Sequence, residues 1–188
     1  MKVLVIGDGC IDRYVYGTCD RMCPEAPVPV FRPSNDIVET GGMALNVQSN
    51  IKSLGAECNI STNQFLPGVS PIKTRYVDFK TNQMLLRIDD NDFPTPRQYD
   101  HSDKLDEYDA VIISDYNKGF LTYEDIEKIC LEHNNVFLDT KKYNFGDRLP
   151  TGLRFLKVNE YELDQNPSFK LQVLADEPSE CKEKIIVT

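Results

Sequence analysis

The sequence has few of the features from which a membrane, zinc or nucleic-acid function could be built. It contains no tryptophan and only two histidines among 188 residues. Its longest apolar runs, such as Val3–Ile6, are far too short to cross a bilayer. The 30 acidic residues outnumber the 21 basic ones, which gives a net charge of −9, and no cluster of Lys and Arg offsets it. We therefore expect neither a membrane nor a nucleic acid as partner.

The six cysteines form no recognisable zinc or disulfide pattern. Cys19 and Cys23 lie four positions apart, but the sequence offers no second such pair and no histidine near them. Cysteines scattered in this way are typical of free thiols in a reducing compartment. The amino terminus leads directly into a strand-like run without a signal-peptide pattern. These features predict a single domain over residues 1–188, in the cytoplasm.

Strand-like and helix-like segments alternate along most of the chain. The β-branched run Lys2–Ile6 reads as a buried strand that ends in Gly7-Asp8-Gly9. One helix is predicted over Met43–Leu54 and another over Leu121–Glu132, the second with a capping box of Thr122 and Asp125. Further strands are predicted at 57–61, 108–113, 135–138, 154–158 and 185–187. This order predicts a three-layer α/β domain with a mostly parallel central sheet.

Two regions do not fit the alternating pattern. Short strand candidates at 14–17, 28–31 and 37–39 are separated by prolines, which suit the edge of a sheet or a small appended sheet. Residues 73–79 and 83–89 read as two strands around a turn in which Asn82 can take a positive φ. Strands within 13–39 and 73–89 are therefore predicted to form a small second sheet to one side.

Polar residues follow four of the predicted buried strands. Because ligands of open α/β sheets bind at the carboxyl ends of the strands, such residues should share one ligand-binding edge. Carboxylates and amides suit sugar hydroxyls and equally a hydrated Mg²⁺, and Lys118 or Lys141 could neutralise a phosphate. Each residue alone could be an ordinary turn residue, but the set favours a binding role. The polar residues of this set are Asp8 with Asp12, Asp115, Asp139 with Lys141, and Asn159 with Glu162.

Two glycine motifs are weaker signals. Gly41-Gly42, expected to open the first helix, would let the backbone approach a ligand, with Asn46 on the first turn, although a plain turn explains the pair equally well. Gly7-Asp8-Gly9 does not extend into a dinucleotide-binding fingerprint, because Asp12 stands where the third glycine is needed. This substitution argues against an oxidoreductase with a nicotinamide cofactor.

Taken together, these motifs resemble the ribokinase-like (PfkB-type) carbohydrate kinases over nearly the whole chain. The resemblance is closest to the D-glycero-β-D-manno-heptose 7-phosphate kinase domain of ADP-heptose synthesis. The segments that carry it are Gly7-Asp8 with Asp12-Arg13, Pro24-Glu25-Ala26-Pro27-Val28-Pro29, Gly41-Gly42 with Asn46, Ser114-Asp115-Tyr116 with Lys118-Gly119, Asp139 with Lys141, and Asn159-Glu160-Tyr161-Glu162.

The resemblance implies a site, a chemistry and a partner. It implies ATP with Mg²⁺, a sugar-phosphate substrate of the heptose 7-phosphate type, and a lid formed by the small sheet, through which similar proteins form homodimers. Asn159 and Glu162 would organise the transferred phosphate and, through water, the Mg²⁺. The residues implied in substrate binding are Asp12, Arg13, Gly41, Gly42, Asn46, Asp115 and Lys141.

One expected segment is absent from these 188 residues. The family carries a Gly-Ala-Gly-Asp sequence that supplies the catalytic base and the anion hole, and no such sequence occurs here. By this resemblance the chain corresponds to a C-terminally truncated domain whose catalytic residues are not identified. Two functions therefore stay open: an ATP-dependent sugar-phosphate kinase, and a non-catalytic sugar-phosphate-binding or dimerisation module derived from one.

Overall fold

The structure, a computed structural model, describes residues 1–63, 70–93, 99–142, 149–165, 167 and 185–188. Its packing divides the chain into two compact units. We call the first the main unit; it comprises Met1–Gly9, Met43–Asn63 and the described residues from 99 onward. The second, the small unit, comprises Cys10–Gly42 and residues 70–93. Whether the chain acts as one domain stays a prediction.

Strands and helices follow one another in nearly the predicted order. The strands are β1 (Lys2–Gly7), β2 (Gly9–Met22), β3 (Pro29–Met43), β4 (Glu57–Thr62), β5 (Ile72–Asp78), β6 (Met84–Asp90), β7 (Ala110–Asp115), β8 (Val136–Thr140), β9 (Leu153–Val158) and β10 (Ile185–Val187). The α-helices are α1 (Ala44–Ser53), α2 (Tyr123–Glu132) and α3 (Glu160–Asp164). A single turn of 3₁₀ helix spans Leu105–Glu107.

The main unit is built on a six-stranded sheet in the order β10-β9-β8-β7-β1-β4. Every described pairing within it is parallel. Successive residues of β1 point to opposite faces, so Val3 and Val5 pack with Ala44 of α1 while Leu4 and Ile6 join the larger core that contains α2. Both faces of the sheet are thus covered by helices, and the predicted three-layer α/β architecture is confirmed.

The small unit has its own four-stranded sheet, in the order β3-β2-β5-β6. The three short strands expected between residues 14 and 39 are in fact parts of two long ones, β2 and β3. Prolines did not break β3 because it lies at the edge of the sheet, where backbone N–H groups on the open side need no partner. The β5–β6 turn contains Asn82 at φ 55°, as predicted.

The start of the first helix differs from the expectation. Gly41, Gly42 and Met43 are the last three residues of β3, and α1 begins directly afterwards at Ala44; the φ of Met43 is 56°. A non-glycine residue in this left-handed region carries backbone strain, so the sharp change of direction falls on Met43 and not on the two glycines.

Among the described residues, no helix is long and apolar enough to span a membrane. The five described cysteines are free thiols, and Cys181 lies outside the described residues.

Candidate functional site

The carboxyl ends of the parallel strands bring the predicted polar residues of the main unit to one edge of its sheet. Asp8 follows β1, Asp115 ends β7, Lys141 follows β8 and Asn159 follows β9. These strands lie side by side in parallel register, with Ser114 opposite both Gly7 and Asp139. These four strand ends therefore lie at one edge of the main sheet, whereas Asp12, which was expected with Asp8, lies on β2 in the small unit.

Asp8 anchors the loop that follows β7. Its buried carboxylate accepts hydrogen bonds from the backbone N–H groups of Tyr116 at 2.8 Å, Lys118 at 3.2 Å and Phe120 at 3.3 Å. Burial raises the pKa of Asp8, as does the nearby charge of Asp115, although the three N–H groups act in the opposite direction. Both oxygens of Asp8 are thus engaged in shaping the loop from Tyr116 to Phe120.

Asp115 forms a buried ion pair with Lys142. The Nζ atom of Lys142 lies 2.7 Å from each carboxylate oxygen, and the two side chains are 5% and 0% exposed. The hydroxyl of Thr140 and the backbone N–H of Asn117 also donate to this carboxylate. The pair ties the loop after β7 to the loop after β8. Sequence reasoning missed Lys142, which directly follows the predicted Lys141.

Lys141, Asn159 and Glu162 lie together at the same edge. The Lys141 ammonium contacts one oxygen of the buried Glu162 carboxylate and lies 6.0 Å from the centre of the Tyr116 ring. The other Glu162 oxygen accepts the backbone N–H of Asn159 at 2.9 Å, and the Asn159 side chain accepts the N–H of Glu162 at 2.8 Å. This reciprocal arrangement is the capping box of α3.

The electrostatics keep this pair ionised. Burial is the largest single influence on the pKa of Glu162 and raises it, but the hydrogen bonds from Lys141 and the Asn159 N–H, together with the charges of Lys141 and Lys157, lower the pKa overall. Burial likewise lowers the pKa of Lys141, but the hydrogen bond to Glu162 together with the nearby negative charges raises it overall. Lys141 keeps 39% of its side chain exposed, so the ammonium can still meet an anion from solution.

The residues of the main unit fit a metal held indirectly. Within the described ranges, no group of three or more His, Cys, Asp or Glu residues could hold a metal ion. Both Glu162 oxygens already accept hydrogen bonds, and so does the Asn159 side-chain oxygen. A Mg²⁺ that keeps its water shell needs oxygen atoms that accept hydrogen bonds from those waters. The oxygens of Glu162 and Asn159 can act as such acceptors without binding the ion directly.

In the small unit, the structure brings Asp12 and Gly42 together. Arg75 Nη1 donates to Asp12 Oδ1 at 2.7 Å. A Cβ on Gly42 would lie 2.7 Å from Asp12 Oδ2 and 2.5 Å from Cys10 Sγ, so only glycine leaves this carboxylate in place. Burial, together with the charge of Asp12, raises the pKa of Cys10 to about 11, which keeps the thiol neutral.

The other predicted residues lie apart from these two groups. In the small unit, Arg13 Nε donates to Glu39 Oε1 at 2.6 Å, and Gly41 is exposed near the end of β3. In the main unit, Asn46 is exposed on the first turn of α1. Sequence reasoning missed Arg75; the signal that could have found it is the alternation of Lys73 and Arg75 along one face of β5.

The chain is similar to several known proteins, although no protein-family model matches it. It is 32% identical over 206 residues to the bifunctional protein HldE of Helicobacter pylori (strain J99), which covers 90% of this chain and 43% of that protein. It is 31% identical over 190 residues to HldE of Blochmanniella pennsylvanica, and the alignment covers 86% of this chain and 40% of that protein. The chain thus spans less than half the length of these relatives.

Solved structures share its fold. A carbohydrate kinase from Agrobacterium tumefaciens aligns with a TM-score of 0.56 and 16% identity, over 100% of this chain and 69% of that one. A ribokinase from Thermotoga maritima aligns with a TM-score of 0.52 and 16% identity, over 98% of this chain and 70% of that one. These likenesses confirm the ribokinase-like fold that the sequence motifs implied.

Proposed function

The chain is a homologue of the bifunctional protein HldE with the fold of the ribokinase-like carbohydrate kinases, and on that basis we propose that it binds a sugar phosphate of the heptose 7-phosphate type for phosphoryl transfer from ATP. The observation that carries the proposal is the edge of the main sheet, where the Lys141–Glu162 ion pair and Asn159 follow neighbouring parallel strands. Open α/β sheets bind ligands at this edge. From its similarity to HldE we further propose that the activity serves ADP-heptose biosynthesis and that the protein works in the cytoplasm.

The proposed substrate contacts follow from the chemistry of the side chains. Carboxylate and amide groups can bridge neighbouring sugar hydroxyls, whereas Arg and Lys side chains bind phosphate oxygens. We assign Arg13 and Lys141 to the substrate or its phosphate. The remaining substrate-binding residues that we propose are Asp12, Gly41, Gly42, Asn46 and Asp115.

ATP and Mg²⁺ are the proposed cofactors. Phosphoryl transfer depends on positioning and on neutralising the charge of the transferred group, and Mg²⁺ supplies much of that neutralisation when it is bound. Asn159 and Glu162 would hold the ion through water, because their oxygens already accept hydrogen bonds within the capping box. Lys141 adds a positive charge beside them.

A second copy of the chain is the proposed partner. Leu86 and Ile88 lie at alternate positions of the edge strand β6, opposite Tyr76 and Thr74 of β5, and both are exposed. Alternate residues of a regularly paired strand share one face, so these two side chains form an apolar patch that another copy can cover. We therefore propose that two copies form a homodimer through their small units, and that each small unit acts as the lid over the sugar. Leu86→Lys should shift the mass measured by light scattering from dimer to monomer.

Thermal melting and phosphate transfer together test the function. D-glycero-D-manno-heptose 7-phosphate should raise the melting temperature of the full chain, and it should accept the γ-phosphate of labelled ATP in the presence of Mg²⁺. Lys141→Met should weaken both effects. Lys128→Met is the matched control, because Lys128 pairs with Glu132 on an exposed face of α2.

The outcomes separate the two functions that the sequence leaves open. A thermal shift with the sugar phosphate, without any transfer or any shift with ATP, would favour the non-catalytic binding module. No thermal shift with the sugar phosphate would refute both readings.

A further inference from the structure

We propose that Arg75 is the positioning residue that orients the Asp12 carboxylate toward the sugar. Nothing in the sequence motifs assigns a role to Arg75. The inference rests on the proposed function, since it concerns how the small unit presents one of the proposed sugar contacts. It is carried by four observations within the small unit: a strand register, an ion pair, a ring contact and a close packing against glycine.

The register places Arg75 beside Asp12 on one face of the sheet. Strands β2 and β5 run parallel with Asp12 opposite Lys73 and Tyr14 opposite Arg75. Alternation along each strand therefore puts all four side chains on the same face. Arg75 reaches back along this face to Asp12, with Nη1 2.7 Å from Oδ1, and its guanidinium carbon lies 5.2 Å from the centre of the Tyr14 ring.

The neighbouring strand explains why Arg75 turns toward β2. Arg75 is directly opposite Arg87 of β6, and like charges in such a pair repel. Arg87 is held by Asp89 on its own strand, through Nε at 2.8 Å and Nη2 at 3.1 Å. The guanidinium of Arg75 is therefore directed away from β6 and toward the carboxylate of Asp12.

These contacts leave Asp12 one defined orientation. Oδ1 accepts from Arg75, and Oδ2 packs where a Cβ of Gly42 would lie only 2.7 Å away. Both side chains are about four-fifths buried, at 20% and 19% exposed, so solvent screens the pair only partly. A carboxylate held on one oxygen presents its remaining lone pairs in fixed directions, which is what recognition of a particular sugar hydroxyl requires.

The test is a double-variant cycle on ligand affinity. Binding of D-glycero-D-manno-heptose 7-phosphate to the full chain is measured by titration calorimetry for Asp12→Asn, Arg75→Met and the double variant. If Arg75 acts through Asp12, each single change should weaken binding by about tenfold or more, and the double variant should be little weaker than either. Arg75→Lys should recover part of the loss, because an ammonium can still donate to Oδ1.

Arg87→Met is the matched control. It removes a guanidinium from the same face of the same sheet, but from the partner of Asp89. It should leave the affinity unchanged. Both variants are titrated well below the melting temperatures of their ligand-free forms, so that a general loss of stability does not explain the difference.

Each result has a definite meaning. Additive losses for Asp12→Asn and Arg75→Met would overturn the inference, because they would show that Arg75 contacts the ligand directly. Equal losses for Arg75→Met and Arg87→Met would overturn it as well. If the unaltered chain binds the sugar phosphate but Arg75→Met binds it equally well, this inference alone fails. If the unaltered chain does not bind it, the proposed function fails and the inference falls with it.

Discussion

Replacing Lys142 by Met should destabilise the protein far more than removing a similar ion pair from its surface. Lys142 neutralises Asp115 where both side chains are almost fully buried, with Nζ 2.7 Å from each carboxylate oxygen. Methionine fills nearly the same volume without the charge. The change therefore isolates the electrostatic consequence of removing the cation from a buried carboxylate, whose other partners among the described residues are the Thr140 hydroxyl and the Asn117 N–H.

The magnitude follows from the burial of the pair. Removing one partner of a buried ion pair costs about 3–5 kcal/mol, because the remaining charge stays out of water without compensation. With a urea dependence of about 2 kcal/mol per molar, the unfolding midpoint should fall by roughly 1.5–2.5 M. In a protein of this size the melting temperature should fall by about 6–20 °C.

Urea unfolding followed by circular dichroism measures the change. Lys157→Met is the matched control: Lys157 Nζ lies 3.1 Å from Asp139 Oδ2 at the neighbouring strand ends, but the side chains are 46% and 39% exposed. Such a pair contributes about 0–1 kcal/mol. Changing Asp115→Asn together with Lys142→Met should cost less than the sum of the two single changes. If the unfolding free energies of the Lys142→Met and Lys157→Met variants differed by less than about 1 kcal/mol, the reasoning from burial would be refuted.

Three further predictions concern helix starts and close packing. Thr122→Ala removes the capping-box acceptor of α2 and should cost about 0.5–2 kcal/mol in urea unfolding, whereas Ser53→Ala, at the exposed end of α1, should cost less. The pKa of Glu162 is lowered from its ordinary 4.5, so the ionised side chain stabilises the fold above pH 4.5, and this stabilisation is lost as the pH falls through the lowered pKa. The unfolding free energies of the unaltered chain and of Glu162→Gln should therefore converge as the pH falls through that range. A difference that stays constant with pH would contradict the assignment. Gly42→Ala forces a Cβ against Asp12 and should lower the unfolding free energy by about 1–3 kcal/mol. It should also weaken sugar-phosphate binding, and an unchanged affinity would contradict this prediction.

Local patterns predicted the elements whose structure depends on nearby residues. The run Lys2–Ile6 alternates its side chains between two buried faces, and Thr122 with Asp125 forms the capping box expected three residues apart. Asn82 takes the positive φ that its side chain tolerates. Each of these outcomes is decided within a few residues of the chain, which is why the sequence was sufficient.

Contacts between distant positions could not be read in the same way. Lys142 and Asp115 are 27 positions apart, and Arg75 and Asp12 are 63 apart. Which strands become neighbours, and in what register, is set by packing of the whole sheet and not by the periodicity of either segment. The length of β3 was missed for a related reason: its prolines are compatible with a strand only because the strand lies at an edge.

The Lys141–Glu162 contact has a consequence for which anions this edge can hold. Glu162 is a built-in counter-ion: with no ligand present, it already satisfies the ammonium of Lys141. An arriving anion must compete with it, and Glu162 stays in place because it also closes the first turn of α3. A singly charged anion gains little from that competition, while a doubly charged phosphate brings more charge than the carboxylate it competes with. If this edge binds an anion, as we propose, the resident carboxylate should therefore favour phosphate esters over sugar acids and chloride.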